Sequence, residues 1–177
     1  PGGAIIERRS KTGNSERFNF PKPMYDNTFN MSFSGLKTAV KRETEKLIKK
    51  QGGLYRKDID DICASFQKTV TEIFKLKTTN AIKFFNKKYQ DPKSLSVVGG
   101  VAANKKIKSE LENVAFENNF NFFTVPAEYC TDNAAMIAFF GFEKYISSNF
   151  NSIDLTVKPR WPLDKISKPI LGFGKRG

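Results

Sequence analysis

The apolar run Leu95, Val97 and Val98 ends in Gly99-Gly100, and from Ala102 the apolar positions Ile107, Leu111, Val114 and Ala115 recur at helical spacing. A buried strand that turns on two glycines straight into a helix restricts the fold more than any other stretch of the chain. Glycine there permits positive φ and leaves no Cβ in the way of a ligand, while the first N–H groups of the following helix favour an anion. The alternative is a tight turn with Asn104 as an ordinary helix cap. A second junction of this kind is expected at Ser34-Gly35, where Phe29, Met31 and Phe33 alternate with polar residues as a half-buried strand would and a helix pattern starts at Leu36.

The rest of the pattern fits an α/β chain. A short helix is expected around Ile5 to Ser10, followed by loop. The helix from Leu36 should stop at Gly52-Gly53. Asp58 is expected to cap a long helix whose stripe of Ile59, Ile62, Cys63, Phe66, Val70, Ile73, Phe74, Ala81, Phe84, Phe85 and Tyr89 forms core. Strands at 95–98 and 120–125, a helix at about 103–118 and another from about Asp132 to Ser147 complete the order. It predicts a mixed or parallel sheet under helices, with ligands at the carboxyl ends of the strands. Gly35, Gly99-Gly100 and Asp132 should then face one cleft. Asp132, at a helix start, can cap backbone N–H groups and gains from the helix dipole.

Composition limits the chemistry. The chain of 177 residues has no histidine, so by itself it cannot supply a Ser-His-Asp triad, an H-x-x-x-H zinc site or an imidazole base. Cys63 and Cys130 lack metal-type spacing and are expected as reduced thiols. Thirty Lys and Arg against eighteen Asp and Glu give a formal charge of +12, which suits a surface that meets phosphates. No apolar run is long enough to span a membrane and no signal segment opens the chain, so the expectation is a cytoplasmic protein without membrane contact. The first residue is Pro1, so the expectation is a segment of a longer product or a processed one.

Four segments, FPKPMYDNTFNMSFSGLKTAV (20–40), VVGGVAANKKIKSEL (97–111), CTDNAAMIAFFG (130–141) and PRWPL (159–163), closely resemble the bacterial TsaD (Gcp) family of tRNA threonylcarbamoyladenosine transferases, once called O-sialoglycoprotein endopeptidases. The resemblance covers the C-terminal half of the family's usual chain. It implies an actin-like ATPase fold of the sugar-kinase, Hsp70 and ribonuclease H-like type, of which residues 1–177 are one part and the N-terminal lobe is missing. It further implies transfer of a threonylcarbamoyl group from threonylcarbamoyl-AMP to the exocyclic amine of the adenosine beside the tRNA anticodon. Gly3 matches the second glycine of a P-G-G turn that contacts the nucleotide, and Glu7 a glutamate that reaches the ribose. Asn104 matches a ligand-binding asparagine, beside Gly99 and Gly100, and Ser34-Gly35 is a candidate cleft lining. Asp132 matches a ligand of one divalent metal ion, iron or zinc, whose two histidine ligands are not in this segment. The nucleotide ligand would be threonylcarbamoyl-AMP or ATP, and the partners tRNA, a TsaB-like paralogue and a TsaE-like ATPase. Arg160 and Trp161 read as packing and local electrostatics. A different class of function is a non-catalytic remnant or a tRNA- or partner-binding module. Metallopeptidase action ranks behind both, since no H-E-x-x-H occurs.

Overall fold

In the computed structural model of the chain, residues 2–91, 93–152, 156, 157 and 159 are described. Arg160 and Trp161 lie outside them. The chain divides into two compact units, residues 1–133 and 134–177. In the first unit α1 (Gly2–Ser10), α2 (Ser34–Gln51) and α3 (Arg56–Lys88) precede β1 (Ser94–Val97), a 3-10 turn (Gly100–Ala103), α4 (Lys105–Glu117) and β2 (Asn121–Thr124). The second unit contributes α5 (Ala134–Ile146).

The two strands are parallel, with Ser94 opposite Asn121 and Val97 opposite Thr124. Parallel strands need a crossover, and α4 supplies it. One sheet face carries Leu95 and Phe122, which pack with Phe85 of α3 on a buried cluster of Ile82, Val114, Ala115 and Phe120. Near the other end of α3, Ile62 joins Phe20 and Leu36, flanked by Phe18, Val40 and Phe66. The long helix, about 50 Å at 1.5 Å per residue, is therefore a spine that serves two separate cores.

Two expectations need correction. Residues 29–33 are not a strand: Phe29, Met31 and Phe33 are exposed, and two of them lie on α3, Phe29 edge-on to Phe84 and Phe33 tilted against Phe74. Alternation marks a strand only when a neighbouring strand accepts the backbone groups. Here the Asp26 and Thr28 carbonyls accept instead from the buried side chains of Lys77 and Asn80 on α3. Nor is α3 a single apolar stripe. Phe84, Tyr89 and Ala81 are exposed, while Asp58, Asp60, Asp61, Ser65, Thr69, Lys77 and Asn80 are buried.

The buried carboxylates attach the loop after α1 to the spine. Arg9 pairs with Asp60 at 2.8 Å, the Asn14 N–H donates to Asp61 at 2.6 Å, and Arg17 bridges Asp58 and Asp61 at 2.5 and 2.8 Å. Asp58 also accepts from the Tyr55 N–H, so it caps α3 from inside its first turn, with Tyr55 at the cap position itself. Among the described residues no buried side-chain nitrogen or oxygen lacks a partner. Burial alone would push the Asp58 and Asp61 carboxyls up. The donors outweigh it and hold both below their ordinary range: Arg17, Gln51 and the Tyr55 N–H for Asp58, the Asn14 N–H and Arg17 for Asp61. Lys77, with help from Thr28, holds Asp26 at about 2. A carboxyl lowered on folding stabilises the fold above its unfolded pKa, about 3.9, and loses that contribution as pH falls through the folded value. Urea midpoints should therefore be insensitive to these groups between pH 7 and 5 and fall between about pH 4 and 2. A midpoint unchanged at pH 3 would contradict the carboxylate anchoring of the loop.

Candidate functional site at the start of the helix after the glycine turn

Beyond β1 the chain turns at Gly99, which has φ 92°. A side chain there would be strained, although an added Cβ at either Gly99 or Gly100 would meet no atom within 4 Å. The glycine pair is open to approach. The 3-10 turn closes through the Ala102 N–H on the Gly99 carbonyl, at 2.9 Å, and buries Ala102, which carries the backbone to Asn104.

Asn104 caps α4. Its Oδ1 accepts from the Lys106 and Ile107 N–H groups, both at 3.1 Å, and its Nδ2 donates to Gln67 Oε1 on α3 at 2.9 Å. Glu7 of α1 reaches the same place: its Oε1 accepts from the Lys105 N–H at 2.8 Å. Three helices thus converge on the first turn of α4. The expectation of free N–H groups waiting there for an anion is corrected, because Asn104 and the Glu7 carboxylate already take the first three; a carboxylate gains from a helix N-terminus as a phosphate does. Among the described residues, nothing takes up the other Glu7 oxygen or the second Nδ2 hydrogen of Asn104, and the backbone of the glycine pair is bare.

Gly3 lies in the first turn of α1, four residues before Glu7, so the two share a helix face. It is helical rather than part of a turn, and a Cβ there would also meet open space. Ser34 and Gly35 are the first residues of α2; Ser34 Oγ is 3.5 Å from Ser32 Oγ, and a Cβ on Gly35 would meet Pro23 at 3.3 Å. Among the described residues no hydrogen bond joins them to the Asn104 group. Asp132 is exposed, and α5 begins at Ala134 rather than at Asp132. Among the described residues no three His, Cys, Asp or Glu side chains are grouped to hold a metal. Both cysteines are free and buried, and burial pushes the Cys63 thiol up, as suits an unreactive residue. Sequence reasoning missed Gln67, a polar residue on a helix read as core with no local signal.

A parallel strand pair, a glycine turn at its carboxyl end and a side-chain-capped helix after it define an α/β protein whose candidate ligand site lies at the strand end. Comparison with known proteins makes this specific. The family model described as tRNA N6-adenosine threonylcarbamoyltransferase (TsaD) matches residues 1–139, and the chain belongs to that family. Proteins named tRNA N6-adenosine threonylcarbamoyltransferase from Ruegeria sp. (strain TM1040), Ruegeria pomeroyi and Paracoccus denitrificans are 42%, 43% and 43% identical to it along its whole length. The chain spans about half the length of these curated relatives, 49% in each case.

Proposed function

We propose that the chain forms one wall of the adenylate site in a tRNA threonylcarbamoyltransferase with an actin-like ATPase fold. The observation that carries this reading is the convergence of Glu7, Asn104 and the open Gly99-Gly100 turn at the start of α4. The free Glu7 oxygen accepts from a ribose hydroxyl, and the spare Asn104 N–H donates to the nucleotide. The glycine backbone lets threonylcarbamoyl-AMP or ATP approach without a Cβ between them. In the transfer, the exocyclic amine of the adenosine beside the tRNA anticodon attacks the carbamoyl carbon. The bond from that carbon to the phosphate oxygen breaks, AMP leaves, and the amine gives up a proton. Holding both reactants in line is the chief contribution of such a cleft.

The residues described here do not fit a metal site on their own. Asp132 offers one exposed carboxylate, whereas a selective centre needs several ligands in fixed geometry. Partners of the TsaB and TsaE kind and a cytoplasmic setting belong to the same proposal; among the described residues no helix is long and apolar enough to cross a membrane.

The chain alone offers one wall, so water stays in contact with the adenylate. It should bind nucleotide weakly and transfer nothing. The same chain joined to the half that its relatives have in addition should form threonylcarbamoyladenosine in tRNA. Turnover by the isolated 177 residues would overturn the single-wall reading.

A further inference from the structure

The α2 helix carries six basic residues, Lys37, Lys41, Arg42, Lys46, Lys49 and Lys50, against Glu43 and Glu45, and Leu36 is the one residue it buries. A helix so charged and so little buried is held by a narrow apolar side, and its opposite side is offered to solvent. Arg42, Lys46, Lys49 and Lys50 follow one another at four-, three- and one-residue steps, share a face, and with Glu45 line a shallow open groove. The acidic side chains do not neutralise the face. Glu45 reaches Lys41 at 3.7 Å and Glu43 reaches Lys46 at 3.8 Å, both exposed pairs of little strength. Arg42, Lys49 and Lys50 have no ion-pair partner among the described residues. Lys49 and Lys50 lie in the last turn, where cations favour the helix dipole. That benefit fades within one turn and leaves Arg42 and Lys46 without such a reason.

We propose that this face of α2 binds the phosphate backbone of the tRNA substrate. The inference rests on the transferase reading, which makes tRNA the polyanion at hand. From Arg42 to Lys50 the helix rises about 12 Å, enough to follow about three phosphates of one strand. The contact is with the backbone, so it positions the RNA and does not read its sequence.

The test is tRNA binding by the full chain across a salt series, followed by fluorescence anisotropy. The triple variant Arg42→Gln, Lys46→Gln, Lys49→Gln removes three exposed charges and keeps good helix formers, so its circular dichroism should match wild type. The slope of log affinity against log salt should become shallower by about 2, and affinity at low salt should fall at least tenfold. A control, Lys83→Gln, Lys87→Gln, Lys88→Gln, removes the same charge from exposed positions at the end of α3 and should change the slope by less than half as much. Equal losses in the two variants would show that net charge alone acts, and overturn the proposal. So would wild-type binding by the α2 variant, with the transferase reading intact. If the wild-type chain binds no tRNA at low salt, this surface and the tRNA contact of the transferase reading fail together.

Discussion

Gly13→Ala should destabilise the fold by at least about 3 kcal/mol, a large fraction of the stability of an ordinary domain. The added Cβ would stand 2.0 Å from the carbonyl oxygen of Asp60, 2.4 Å from its carbon and 2.9 Å from the Ala64 Cβ. These are mostly atoms of a helix backbone, which cannot swing aside as the tip of a long side chain can. The loop has to retreat instead, and it then gives up the Asn14 N–H on Asp61 and the bridge of Arg17 to Asp58 and Asp61. Carboxylates left buried without partners are costly. Gly100→Ala is the matched control, since its Cβ would meet nothing within 4 Å, and it should stay within about 0.5 kcal/mol of wild type. Urea unfolding followed by circular dichroism measures both; a Gly13→Ala midpoint equal to wild type would mean that the loop does not lie on α3 as described.

Asn104→Asp should leave the fold nearly intact and remove ligand binding. The new carboxylate can accept from the Lys106 and Ile107 N–H groups as the amide does, and aspartate is as good an N-cap as asparagine. Gln67 can turn its own amide to donate in place of accepting, so stability should stay within about 1 kcal/mol. What disappears is the second Nδ2 hydrogen of Asn104, which the proposed site assigns to the nucleotide, and a second negative charge now stands beside Glu7. Adenylate affinity measured by titration calorimetry should fall at least tenfold. Asn104→Ala separates the two effects: it loses the cap, about 1 kcal/mol, and the ligand contact together.

The parts of the fold that follow from local pattern were legible in the sequence. The turn from β1 through Gly99-Gly100 into α4 needs only a short apolar run, two glycines and a 3.6-residue repeat, and β2 follows from the same reasoning to within a residue at each end. The end of α2 at Gly52 was legible for the same reason. The failures depend on partners far along the chain. Asp60 and Asp61 can be buried only because Arg9 and Arg17 come back to them from 44 to 51 positions away, and no window on α3 contains that fact. Residues 29–33 alternate like a strand, but both of their aromatics rest on side chains of α3, Phe29 on Phe84 and Phe33 on Phe74, and no sheet partner is involved. Of the candidate site, the glycine turn and Asn104 as the cap of α4 follow from spacing, whereas the ligand roles of Asn104 and Glu7 come from family resemblance. The hydrogen bond that brings Glu7 to the Lys105 N–H spans 98 positions and contradicted the simple idea of a vacant helix terminus.

Whether the start of α4 holds the adenylate is measured by counting threonylcarbamoyladenosine in tRNA, by nuclease digestion and mass analysis, after incubation with threonylcarbamoyl-AMP and this chain joined to the other half of the Ruegeria pomeroyi relative. The modified nucleoside should accumulate with the wild-type chain and at least tenfold more slowly with Asn104→Asp, whose stability stays within about 1 kcal/mol of wild type. Equal accumulation with the two chains would show that the site at the start of α4 does not hold the adenylate.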